Sequence, residues 1–181
     1  MTKTGRMILA TALLLSSVAG LWAATATPLA TQARPSLTPL TRAEKARLVF
    51  MREEEKLARD VYITMYERWG ASIFSNISVS EQRHMDSILK LLVKYGIPDP
   101  AADKAVGEFT NPDLRTLYGK LVAKGRISVR DAYLVGRTIE RMDIADLKDA
   151  IAETAKPDLD RVFGTLLKGS ENHLRAFNSQ L

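Results

Sequence analysis

No cysteine occurs anywhere in the chain, and that absence removes several chemistries at once. Disulfides, thiolate metal sites, iron–sulfur clusters, cysteine nucleophiles and a lipoprotein anchor are all excluded. An exported domain of this composition is held together by packing, with a bound metal as the one further staple open to it. Charge of one sign is scarce too: 26 Lys and Arg stand against 21 Asp and Glu, a formal net charge of +5. Loss of Lys3 and Arg6 with a leader lowers that to +3, because 24 basic residues would then face the same 21 acids. A surplus that small does not imply nucleic-acid binding, and no Arg/Lys stripe interleaved with exposed aromatics accompanies it. Strand-like alternation, a nucleotide-binding loop, a serine triad and a sugar-binding aromatic platform are likewise missing.

What is present begins with a segment unlike the rest. Lys3 and Arg6 precede an apolar run over residues 7–24, and Ala24-Thr25-Ala26 places small residues where a signal peptidase reads them. Residues 1–26 are therefore expected to be a cleaved signal peptide, with secretion or a periplasmic location to follow. The run is also about long enough to span a bilayer, so an uncleaved membrane anchor is the alternative. Residues 27–39 (TPLATQARPSLTP) hold three prolines and no period, the composition of a disordered linker. The folded domain is expected over 40–181, long enough for one substantial core.

Within that domain the punctuation is helical. Thr41-Arg-Ala-Glu44 is a capping box and Gly70 a terminator. Between them Leu48, Met51, Glu55, Ala58, Tyr62, Met65 and Trp69 recur at steps of three and four, an inward stripe. Glu53 and Glu54 lie off that stripe and read as solvated. A second helix is expected to open at Ser78-Val-Ser-Glu81 and close at Gly96, its stripe running Ile77, Glu81, His84, Ile88, Leu91 and Tyr95. The short link between the two makes them an antiparallel hairpin. Residues 97–127 then form a crossover, in which Asn111-Pro112 opens a short helix over 114–124. Ser128 starts the third long helix, with Val129, Ala132, Tyr133, Gly136, Ile139 and Glu140 inward. Asp143 reads as the cap of a further segment over 145–155. Pro157-Asp158 starts the last helix, with Leu159, Val162, Phe163, Leu166, Ser170, His173 and Phe177 inward. The expectation is an all-α fold, a four-helix bundle with a long helix-containing crossover between helices two and three.

Ionisable groups interrupt these stripes. Charged side chains are seldom fully buried unless paired or holding a metal. Glu81-x-x-His84 puts a carboxylate and an imidazole on one helix face, although Glu81 also fits a capping box after Ser78 and His84 fits a satisfied core histidine. Glu55, halfway along its stripe, has no capping role; an ion pair to His84 or a hydrogen bond to Tyr62 is the structural alternative. Glu140 is flanked by Arg137 and Arg141, which could satisfy it, and His173 lies on the last stripe. One glutamate, Glu-x-x-His, one glutamate and one histidine on successive helices is close to the inward carboxylate–histidine set of di-metal bundles. Ser170 stands where a second Glu-x-x-His would need its glutamate, and Glu171 lies about 200° around the helix from His173. A dinuclear centre then needs Glu55 or Glu140 to bridge; a single ion or two unequal sites fit equally. Oxygen and nitrogen donors without sulfur suit iron or manganese, and zinc could also bind.

At these residues a resemblance enters. Glu55-x-x-Ala58-x-x-x-Tyr62 and Glu81-x-x-His84 resemble the first two helices of rubrerythrin-type members of the ferritin-like superfamily. More closely, EEEKLARDVY (53–62), SEQRHM (80–85), TIERMDIADL (138–147) and SENHLRAF (170–177) resemble a ferritin-like family, domain of unknown function 2202, from about Leu40 to Phe177. The resemblance implies a ferritin-like fold and an inferred metal site formed by Glu55, Glu81, His84, Glu140 and His173. It brings no settled activity. An exported protein binding one or two iron or manganese ions, with di-iron-type oxidation or peroxide-handling chemistry, is the leading expectation. A non-catalytic bundle serving as a binding or envelope-stress module is the alternative. Metal ions are the expected partners, and a homodimer is compatible with them; a metal reservoir would need a cage, of which the modest size gives no sign. Tyr62 could hydrogen-bond a ligand or act in redox chemistry, or be an ordinary core tyrosine.

Overall fold

A computed structural model of the chain describes residues 38–181; the leader and most of the linker fall outside the described residues. The described residues contain five helices and no strand: α1 (Arg42–Trp69), α2 (Ser72–Lys94), α3 (Pro112–Gly125), α4 (Val129–Glu153) and α5 (Pro157–Asn178). The all-α expectation holds. Among the described residues no helix is long and apolar enough to cross a membrane.

Local chemistry sets most of the helix ends. The Thr41 hydroxyl accepts from the Glu44 amide at 3.1 Å and the Glu44 carboxylate accepts from the Thr41 amide at 2.8 Å, the two halves of a capping box. Gly70 closes α1 with φ at +66°, a left-handed conformation glycine takes without a Cβ penalty. Asn111 caps α3 through the Asp113 and Leu114 amides, and Ser128 caps α4 through Asp131.

Two boundaries differ from expectation. The second helix begins at Ser72, not Ser78, because Phe74 and Ile77 are buried and carry the helix back to a two-residue link. Ser78 sits inside the helix, its hydroxyl donating to the Ser75 carbonyl at 2.9 Å, so Glu81 has no capping role. The third long helix runs unbroken through Asp143 to Glu153. Gly136, Glu140, Asp143, Leu147 and Ala150 keep the three-and-four spacing and are all buried, and that packing outweighs Asp143's preference for a cap. At its start Val129 is 38% exposed, since the first turn extends beyond the core.

Helix α1 packs on α2 and α4, and α5 packs on the same two neighbours; α3 lies against α1 and α4. Helices α1 and α5 are thus diagonal, meeting through side chains such as the Tyr62 and Phe177 rings, 5.2 Å apart. The interior is layered. One apolar cluster gathers Ala58, Tyr62, Met65, Phe74, Ile77, Ala132, Ile139 and Phe177. The other gathers Leu48, Met51, Ile88, Leu92, Leu147, Leu159, Phe163 and Leu166. Each fully buried large side chain contributes about 1.5–3 kcal/mol. Every long helix passes from one cluster to the other, and at the crossing each carries polar residues: Glu55 on α1, Glu81 and His84 on α2, Glu140 and Asp143 on α4, Ser170 and His173 on α5.

The crossover covers the opposite face of α1. Glu53, expected to be solvated, is buried because its carboxylate accepts from the amides of Thr110, at 2.5 Å, and Asn111. Arg52 pairs with Asp99 at 2.8 Å. Lys56 pairs with Asp60 and donates to the Ala105 carbonyl at 2.7 Å, while Asp60 accepts from the Gly107 amide at 2.9 Å. Glu54 is buried as well, on the side of α1 that meets α4.

Candidate metal centre

All five residues singled out from the sequence are buried and meet in the polar layer. Glu81 stands at its middle. Its Oε2 lies 2.8 Å from His84 Nδ1 and its Oε1 lies 2.8 Å from His173 Nδ1. On one side His84 Nδ1 also meets Glu55 Oε2 at 3.2 Å. On the other, His173 Nδ1 lies 3.5 Å from Glu140 Oε2. The two imidazoles, the only histidines of the chain, stack with centroids 5.5 Å apart. Two three-residue groups result, Glu55–Glu81–His84 and Glu81–Glu140–His173, each with ligand atoms within 4.8 Å of one another. The residue shared between the halves is Glu81, not Glu55 or Glu140.

Neighbours fix the donors. Tyr62 donates to Glu140 Oε1 at 2.6 Å. This contact, with His173, accounts for Glu140; Arg137 and Arg141 form no ion pair with it. His173 Nε2 lies 3.0 Å from the Ser80 hydroxyl. His84 Nε2 faces the backbone of α5 at Gly169, where a Cβ would come within 2.5 Å of it. Only glycine leaves the ring its position there.

Two residues of this layer are not legible as such in the sequence. Asp143 lies one turn beyond Glu140 and beside Glu55 and the Ser170 hydroxyl; the unbroken spacing along α4 is the signal that identifies it. Glu54, beside Asp143 and Asp146, has no such signal, because the helix that buries it comes from about 90 residues further along the chain. Among the described residues Glu54 Oε2, Glu55 Oε1 and Asp143 Oδ1 are buried without a hydrogen-bond partner.

The electrostatics follow from five buried carboxyl groups and two imidazoles. Burial pushes the Glu81 carboxyl up, but His173 and His84 together outweigh it and hold Glu81 down to about 2. Burial, opposed in part by His84, pushes Glu55 up to about 8. Burial and repulsion from Glu81 push Glu140 up to about 8. Burial lowers both imidazoles, yet the carboxylates beside them raise His84 to about 11 and His173 to about 10. Glu54 and Asp143 lie well above the ordinary carboxylate range, from burial first and mutual repulsion second for Glu54, and from burial and Glu55 for Asp143. Such a layer favours protons or cations at its carboxylates.

Fold and site together define an all-helical protein with a buried carboxylate–histidine layer between two apolar layers. The chain belongs to the family described as "Uncharacterized protein domain (DUF2202)", whose model matches residues 44–181. It is 53% identical over 139 residues to "Uncharacterized protein MJ0754" of Methanocaldococcus jannaschii, covering 77% of this chain and 75% of that protein. The crystal structure of hypothetical protein MJ0754 superposes with a TM-score of 0.77 at 51% identity, over 80% of this chain and 83% of the other. A DUF305 fragment from Deinococcus radiodurans matches with a TM-score of 0.58 at 17% identity, over 78% of this chain and 97% of that one, a likeness of fold alone.

Proposed function

We propose that this chain is an exported, ferritin-like protein that binds iron or manganese within its helical bundle and supports oxidation or peroxide-handling chemistry there. The observation that carries the metal reading is the placing of both imidazole Nδ1 atoms on opposite oxygens of one buried glutamate, with a further glutamate on each flank. The donors fit the group. Nitrogen and oxygen ligands without sulfur suit iron and manganese, and buried carboxylate oxygens without partners, such as Glu55 Oε1, cost several kcal/mol unless a proton or cation joins them.

Glu55 and His84 would hold one ion, Glu140 and His173 a second, with Glu81 between them. Bound iron with an open coordination position supplies electron transfer to oxygen or peroxide. Tyr62 orients Glu140 by donating to its Oε1 at 2.6 Å, and Ser80 holds His173 by the far ring nitrogen. Such outer contacts set ligand orientation and basicity. The apolar clusters on either side exclude water from the layer. Export rests on the Lys3/Arg6, apolar-run and Ala24-Thr25-Ala26 pattern.

Metal analysis of protein purified without a polyhistidine tag tests this reading. Iron or manganese should be present at one or two ions per chain, and should be lost in a Glu55→Ala/His84→Ala double variant. A wild-type protein that stays metal-free after incubation with ferrous ion, with a double variant at least as stable, would instead support a non-catalytic binding module.

A further inference from the structure

Beyond the five central residues, a second set of acids runs outward along the contact between α1 and α4. Glu54 and Asp143 are 3% and 4% exposed. Glu54 lies beside Asp143 and Asp146, and Asp143 lies beside Glu55. One oxygen on each of Glu54, Asp143 and Glu55 is buried without a partner among the described residues. Asp146 marks the outer end: its side chain is 32% exposed and lies 3.5 Å from Nη1 of Arg47, which holds Glu153 through Nη2 and Nε. Asp146, Asp143 and Glu140 follow one another at three-residue steps on α4, each about 60° around the axis from the last, so the row turns from the interior toward solvent. From solvent inward the sequence of groups is Asp146, Glu54, Asp143, Glu55.

Packing does not account for this line. On the crossover face of the same helix, buried Glu53 and Asp60 are matched by amides and by Lys56. Glu54 and Asp143 have no ion-pair partner among the described residues. Ser170 supplies the space: the small side chain at the position where a second Glu-x-x-His would place a glutamate leaves room for Asp143 to approach from α4. Carboxylate oxygens are the ligands a hard divalent cation takes as it sheds water. Carboxyl groups that give up their protons to an entering cation also lower the cost of moving it through a low-dielectric interior. The outer group has no imidazole, so it holds an ion less firmly than the central layer, as a transit site requires.

We propose that Glu54 and Asp143, opened to solvent at Asp146, form an outer divalent-cation site at the α1–α4 seam through which ions reach Glu55 and the central layer. The inference rests on the metal-binding reading above. Arg47 stands over its mouth as an electrostatic gate.

Rapid-mixing measurement of manganous-ion uptake by the full chain, followed by loss of the free-ion paramagnetic resonance signal, tests it. Glu54→Gln and Asp143→Asn should each slow uptake about 10-fold or more while leaving the number of ions bound at equilibrium unchanged. Glu67→Gln, an exposed change elsewhere on α1, should load as wild type. Arg47→Gln, which touches no buried group of the line, should load faster. Wild-type rates in both Glu54→Gln and Asp143→Asn overturn the proposal, as does slower uptake in Arg47→Gln. Loss of a bound ion at equilibrium in Asp143→Asn also overturns it, by making Asp143 a ligand of the centre. If the wild type takes up no ion at all, the central metal reading itself fails; if it loads and the variants load alike, only the route fails.

Discussion

Two faces of α1 bury ionisable residues, and they do it differently. Toward the crossover, Arg52, Glu53, Lys56 and Asp60 are paired with Asp99, two backbone amides, one another and the amide of Gly107; among the described residues Arg52 Nη1 is the one buried side-chain atom there without a partner. Toward the interior, Glu54 and Glu55 join Glu81, Glu140 and Asp143 around two imidazoles, and carboxylate oxygens are left over. Burial is the same on both faces. Charge balance is not. The crossover face is a fastening that holds the connection between α2 and α3 to the helices. The interior face gathers five carboxyl groups around two imidazoles, with carboxyl oxygens that packing leaves without partners among the described residues. Burial of an ionisable group therefore does not mark a candidate site by itself; burial with unpartnered oxygens does.

The sharpest way to break this contrast is to remove one member from each face. Lys56→Met leaves Asp60 with Arg59, 2.7 Å away, and the Gly107 amide, and should destabilise the protein by about 3 kcal/mol in denaturant titration. Glu55→Gln and Glu140→Gln should change the metal-free protein by less than about 1 kcal/mol. Both carboxyls are raised to about 8 and so are largely protonated at neutral pH, and the amide replaces one neutral group by another. Equal losses on the two faces would end the distinction.

A second effect, of similar size, is expected from metal. At a free-ion concentration about 100 times Kd, ferrous or manganous ion should stabilise the wild type by about 2.7 kcal/mol, a rise in melting temperature of roughly 8 °C for a domain of this size. The Glu55→Gln/Glu140→Gln double variant should show little of that rise, and the Lys56→Met variant should keep it. Calorimetry with and without ion reads both.

The pH dependence follows from the same groups. Folding raises Glu55 and Glu140 from 4.5 to about 8. The stability each contributes is fully present below the unfolded value and is lost as pH rises through the folded one. His84 and His173, raised from 6.5 to about 11 and about 10, act in the same sense at higher pH. Glu81, lowered from 4.5 to about 2, loses its contribution only as pH falls through that value. The metal-free protein should thus become less stable between about pH 5 and pH 8. Bound metal takes over the role of the protons, so the loaded protein should lose this slope. A metal-free protein whose melting temperature rises over the same interval would contradict the assignment.

The smallest of the expected effects sharpens the geometry. Gly169→Ala brings a Cβ within 2.5 Å of His84 Nε2, so the ring must turn and its Nδ1 leave Glu81. Metal affinity should fall about 10-fold with little change in the far-ultraviolet helical signal.

Much of this architecture is legible in the amino-acid sequence. The steps of three and four that place Glu55, Glu81, His84, Glu140 and His173 inward are a property of single helices, and all five are buried together. What escapes sequence reading depends on contacts between helices. Ser78 offers a capping box, but the burial of Phe74 and Ile77 extends the helix past it. Asp143 offers a cap, but Leu147 and Ala150 keep the helix running and carry Asp143 inward. Glu53 and Glu54 lie off the stripe of α1 and are covered by the crossover and by α4, partners that no local pattern on α1 announces. Glu81's position between the histidines depends on how α2 and α5 face each other.

Anomalous diffraction from crystals grown with manganous ion, collected near the manganese edge, tests the central claim most directly. Metal binding by the unbalanced face requires anomalous peaks beside Glu81, on the Glu55/His84 side, the Glu140/His173 side or both, and none among Arg52, Glu53, Lys56 and Asp60. A polar layer without a peak at saturating ion, or a peak seated only at the crossover face, would contradict it.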